Sequence, residues 1–183
     1  MLQILNLIID TVTGLLATVL LLRFWMQAIR VRPPLQVSQF TFQLSDWLIK
    51  PLRRIVPGVG GYDWASMIGA LLVALLATTI KYALLPVPML PQVILFASLL
   101  TLLHWMIYGC IGLLFISVIF SWVNPAAQLA PFFTALANPI LRPIRRFLPP
   151  FGNVDLSPIV AFLILQIGNV ALDELAIVLL RHL

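Results

Sequence analysis

The chain has 183 residues, 62% of them hydrophobic and only 9% charged, with a mean hydropathy of +1.08 and a net charge of +5. A soluble domain carries about a quarter charged residues, so the composition excludes one and defines an integral membrane protein. One cysteine, Cys110, excludes an intramolecular disulfide and a cysteine-based metal cluster.

A transmembrane helix needs roughly 20 apolar residues, and four stretches supply them. Residues 2–22 form the first; with no basic segment ahead of them, Asp10 inside them and no cleavage site before Arg23, they read as a retained span rather than a signal peptide. A basic loop follows, and residues 64–85 form the second span, where Ala70, Ala74 and Ala77 offer a small-residue face for close helix approach. The connector LLPVPMLPQ leads to residues 92–123, a run about 48 Å long as a helix. Its only breakers are Gly109 and Gly112, and half of it is too short to cross, so it reads as one span centred on residues 100–122. A second basic loop and a last span over residues 158–180 complete an all-α, polytopic membrane protein.

The two loops repeat each other. SDWLIKPLRRIVPGVGGYDWAS at residues 45–66 lies without a gap on ANPILRPIRRFLPPFGNVDLSP at residues 137–158, matching Pro51 with Pro143, Arg53 with Arg145, Arg54 with Arg146, Gly60 with Gly152 and Asp63 with Asp155. The chain therefore parses into two tandem parallel-repeat hairpins, residues 1–88 and 89–183, whose motif loops emerge on one face. Nine of the eleven Lys and Arg lie in or beside those loops, which makes them cytoplasmic and puts both termini outside.

Within each loop the pattern predicts an amphipathic helix lying in the membrane interface. In the second, Phe132, Phe133, Leu136, Ile140, Leu141, Ile144, Phe147 and Leu148 form an apolar stripe. Asn138 before Pro139, and Asp46 at the matching place, read as N-caps, while Pro51 and Pro143 should kink or end each helix. Gly60 or Gly152 then gives a turn, and Asp155 or Ser157 before Pro158, like Asp63 with Ser66, caps the returning span. Two roles fit Arg53, Arg54, Arg142, Arg145 and Arg146. They hold lipid phosphates or a partner's acidic groups, or they only set orientation, with Asp63 and Asp155 neutralising neighbouring arginines.

Asp10, Lys81 and Asp173 share a layer about 22 Å from the loop face, and Lys81 and Asp173 are equivalent in the repeat. Lys81 pairs with Asp10, Asp173 or both, or the three snorkel to the outer interface, or they handle ions or protons. His104 and Asn169 would extend a polar path. No phosphate-binding glycine loop, paired-histidine helix or catalytic triad is present, so neither an enzyme nor a cofactor is expected, and nothing points to nucleic acid.

The duplicated pattern, PIRRFLPPFGNVDLSP at residues 143–158 and PLRRIVPGVGGYDWAS at residues 51–66, together with Ser121 and Trp122, resembles the YggT family of small membrane proteins over nearly the whole chain. The first copy departs at Trp64, Ala65 and Ser66, where the second has the fuller LSP. The resemblance implies a non-enzymatic scaffold or accessory factor in a bacterial inner membrane, connected with osmotic-stress tolerance, ion homeostasis or assembly of membrane complexes. The expected partners are membrane lipids, anionic ones included, and a second copy or another membrane protein. The alternative is a small oligomeric ion conduit using Asp10, Lys81 and Asp173.

Overall fold

The structure is a computed structural model that describes residues 1–84, 90–148 and 155–180. It contains six helices: α1 Leu2–Ala28, α2 Leu35–Ile55, α3 Trp64–Ala83, α4 Pro91–Val123, α5 Ala130–Phe147 and α6 Ser157–Leu180. Four of them, α1, α3, α4 and α6, are long and apolar enough to cross a membrane. Prolines mark most of the boundaries. Pro33 and Pro34 block continuation of α1 and release α2, and Pro91, Pro131 and Pro158 stand in the first turns of α4, α5 and α6, where their missing N–H costs nothing.

The spans pack in sequence, α1 on α3, α3 on α4 and α4 on α6, with α1 also touching α4. Ala70, Ala74 and Ala77 are all buried, so the small-residue face of α3 does permit close packing. α4 runs as one unbroken 33-residue helix through Gly109 and Gly112. α2 rests on α1 and α3, and α5 on α4 and α6. Gly69 of α3 lets α2 come close: a Cβ there would lie 3.0 Å from Ile49 Cδ1, and Ile49 is fully buried. α5 buries Phe132, Leu136 and Leu141 of its expected stripe, whereas Phe147 at the end of the stripe is exposed. Trp25 of α1 donates from Nε1 to the Leu136 carbonyl of α5 at 3.0 Å, tying the first span to the second loop.

Three local expectations are corrected. α2 and α5 start well before Asp46 and Asn138, which therefore lie inside helices rather than capping them. Pro51 and Pro143 do not end the helices, which run on to Ile55 and Phe147. The carbonyls that Pro51 and Pro143 leave without an intrahelical donor, those of Trp47 and Pro139, belong to exposed residues that water or headgroups can solvate; Pro139, also inside α5, leaves that of half-buried Ala135. α1, in turn, does not stop at residue 22 but continues past Arg23 to Ala28.

The end of α1 is a Schellman motif. The Val31 N–H reaches the Met26 carbonyl at 3.0 Å and the Arg30 N–H reaches that of Gln27 at 3.1 Å, with Arg30 left-handed at φ 56°. Glycine is the usual occupant of that position, because an L side chain there costs about 1–2 kcal/mol.

Candidate functional site

The turn into α3 is made by Gly60 and Gly61, both at positive φ (69° and 85°), with Val59 and Tyr62 paired across it. Two consecutive left-handed residues are the geometry glycine supplies without steric cost. The turn sets Asp63 immediately before α3, 2% exposed. Its carboxylate does not cap the helix. Arg53 approaches it as a fork, Nη2 to Oδ2 at 2.7 Å and Nε to Oδ1 at 3.3 Å, while Ser66 Oγ donates to Oδ2 at 2.7 Å. Arg23, reaching in from α1, donates from Nε to the same Oδ2 at 3.2 Å.

Arg23 is the residue the sequence did not single out as a site. It is 6% exposed, donates from Nη1 to Ser45 Oγ and Asp46 Oδ1, each at 2.7 Å, and stacks its guanidinium 4.8 Å from the centre of the Phe42 ring. Asp46 also receives Lys50 at 3.1 Å. One hub therefore joins α1, α2 and the start of α3, with Arg23, Lys50 and Arg53 set against Asp46 and Asp63. A signal for it was present: ninety-two positions on from Arg23, Ser45 and Asp46 stand Phe115, Ala137 and Asn138, so the charged set is confined to the first half.

The second half carries a simpler clamp. Arg145 donates from Nε and Nη2 to Asp155 Oδ2 at 3.0 and 2.7 Å, and from Nη1 to Asn138 Oδ1 at 3.0 Å. Asp155 Oδ1 accepts the Ser157 N–H at 2.9 Å, which caps the start of α6. Gly152 lies outside the described residues. In both clamps the first arginine of the pair turns inward to the aspartate ten residues on. Arg54, Arg142 and Arg146 are exposed, and none of the six acidic side chains pairs with them.

These contacts set the carboxylate pKa values. For Asp46 the hydrogen bond from Arg23 leads, and its pKa lies below the ordinary 3.8 despite partial burial. Burial pushes Asp63 up, but hydrogen bonds from Arg53 and Ser66 and the two arginine charges outweigh it, leaving it lowered. Asp155 follows the same balance, burial against hydrogen bonds from Ser157 and the Arg145 guanidinium, and is also lowered.

At the far end, Lys81 pairs with Asp10, joining α3 to α1. Asp173 does not reach Lys81. It lies 3.0 Å from His104 Nε2, joining α6 to α4. His104 Nδ1 lies 2.8 Å from the Leu100 carbonyl on its own helix, which fixes the ring so that Nε2 faces Asp173. One α-turn further along, Asn169 Nδ2 donates to Tyr108 Oη at 2.9 Å. Among the described residues no group of histidine, cysteine and carboxylate side chains is arranged to hold a metal.

Four helices long and apolar enough to cross a membrane, tied in pairs by such polar contacts, are the architecture of a multi-pass, all-α membrane protein. A family model described as CCB3/YggT matches residues 2–84 and 96–176, and the chain belongs to that family. It is 34% identical over 171 residues to the uncharacterised protein YggT of Escherichia coli strain K12, covering 93% of this chain and 89% of that one. Similar matches reach an uncharacterised protein of Haemophilus influenzae, at 34% identity over 92% of each chain, and one of Pseudomonas aeruginosa, at 37% over 87% of this chain and 83% of the other. No solved structure matches the chain.

Proposed function

We propose that the protein is a non-enzymatic scaffold or accessory factor of a bacterial inner membrane, built as two tandem hairpins with α2 and α5 lying in the cytoplasmic interface. The observation that supports this reading is the division of labour within each Arg-Arg pair. Arg53 and Arg145 hold the loops together by binding Asp63 and Asp155, while Arg54, Arg142 and Arg146 stay exposed and unmatched by any acidic side chain. Such arginines, on helices held flat against the spans, suit acidic groups of another membrane protein or anionic headgroups, each contributing about 1 kcal/mol near an anionic surface. A role in osmotic adaptation or in assembling membrane complexes fits a protein that recruits rather than reacts.

The reading is tested by replacing Arg54, Arg142 and Arg146 with alanine together. Loss of copurifying membrane proteins and of tolerance to osmotic shock, with thermal stability unchanged, is the expected result; an unaltered set of partners would end the proposal. The ion-conduit alternative draws on the polar layer of Asp10, Lys81 and Asp173. Ion flux in liposomes that vanishes on Asp173→Asn would favour it.

A further inference from the structure

A cavity of about 440 Å³ opens beside the hub, between the end of α1, α2 and the Gly60–Gly61 turn. Four arginines line it, Arg23, Arg30, Arg32 and Arg53, together with Gln27, Phe42 and Gly61. Gln27 Nε2 donates to the Gly61 carbonyl at 3.2 Å and so fixes the turn as one wall, and Arg30 Nη2 lies over it, 3.9 Å from where a Gly61 Cβ would stand.

The charge around this cavity does not balance. Residues 23–63 hold six cationic side chains and two carboxylates. Asp46 is taken by Arg23 and Lys50, and Asp63 by Arg23 and Arg53. Arg30 and Arg32 meet none of the six acidic side chains of the chain. Arg23 and Arg53, although paired, each keep one terminal nitrogen, Nη2 and Nη1 respectively, with no hydrogen bond to a described residue. Guanidinium donors converge on a space that the protein's own anions do not fill. Arg30 is moreover held there in a left-handed conformation that glycine would occupy at lower cost.

We infer that this cavity is a binding site for a phosphate group, either the phosphodiester of an anionic phospholipid or a soluble phosphate. Arg30 and Arg32 supply the charge, and the free nitrogens of Arg23 and Arg53 form its floor. Planar guanidinium forks match phosphate oxygens, and a fixed set of them selects phosphate over a smaller monovalent anion. The site stands apart from the recruitment reading, which rests on Arg54, Arg142 and Arg146.

The test uses the full chain in a neutral detergent. Inorganic phosphate binding is followed by calorimetry, and retention of phosphatidylglycerol against phosphatidylcholine by native mass spectrometry. Phosphatidylglycerol retained in preference to phosphatidylcholine, and displaced by phosphate, supports the site with a lipid source. Phosphate binding without lipid preference supports it with a soluble source. Arg30→Ala with Arg32→Ala should weaken either by at least tenfold. Arg30→Gly should weaken binding while unfolding at an equal or higher temperature, which separates loss of the site from loss of the fold. Binding of neither probe by the unmodified chain, or equal binding by these variants, overturns the inference.

Discussion

Asp63 takes two guanidinium groups and a hydroxyl at 2% exposure, so removing its charge leaves buried Arg23 with Asp46 as its one remaining counter-charge. Asp63→Asn should destabilise the protein by about 3–5 kcal/mol, the usual cost of breaking a buried pair. Asp155→Asn, whose side chain is 31% exposed, should cost only about 1 kcal/mol. Thermal unfolding in detergent compares the two, and equal losses would deny the hub its special weight. The same carboxylates give a pH dependence. All three loop aspartates are lowered from 3.8, so the unfolded chain takes up protons before the folded one does. Their contribution is complete above the ordinary value and is lost as pH falls below it through the folded values. Unfolding temperatures should therefore hold steady from pH 7 to about 4.5 and drop beneath about pH 4. At this scale the sequence was only partly legible. The twin Arg and Asp spacing exposed both clamps, but an arginine at the edge of an apolar run reads as the end of a span, and the burial of Arg23 shows only when its partners fold back onto it.

Among the elements, the four spans were readable because about 20 apolar residues have few other fates. The loop helices were readable as helices but not in their extent. The proline that should stop them costs one N–H, and on an exposed face that cost is small enough for packing on the spans to override. Polar ties between spans were half visible. Depth alone placed Asp10, Lys81 and Asp173 together, yet depth does not say which helix faces which. α1 meets α3 through Asp10 and Lys81, and α4 meets α6 through His104 and Asp173. Lys81→Glu should therefore lower the yield of folded protein severalfold, and adding Asp10→Lys should restore it, whereas Asp173→Lys should not. Rescue by the Asp173 change instead would contradict the observed pairing.

For the molecule as a whole, α4 is the central member, packed on α1, α3, α5 and α6 and about 50 Å long, well beyond a hydrocarbon core of roughly 30 Å. To fit such a core it must tilt or project, and α5 packs on its C-terminal half through Leu113, Leu114 and Phe120. The proposed topology has a direct check. With Cys110 replaced by serine, single cysteines at positions 54 and 146 should both react with an impermeant maleimide from the cytoplasmic side, and cysteines at 6 and 174 from the other; labelling of 54 and 146 from opposite sides would remove the parallel-hairpin arrangement. The hub also ties the identities of two residues on different helices to each other. Where the second half has Phe115 and Asn138, the first has Arg23 and Asp46, and the two differences are not independent. An aspartate in place of Asn138 would still accept from Arg145, so it is tolerable by itself. An arginine in place of Phe115 without that aspartate would have at most a share of Asp155, which Arg145 already occupies. Arg23 and Asp46 are therefore coupled across two helices: without Asp46 the buried guanidinium would share Asp63 with Arg53, and without Arg23 the carboxylate of Asp46 would keep only exposed Lys50.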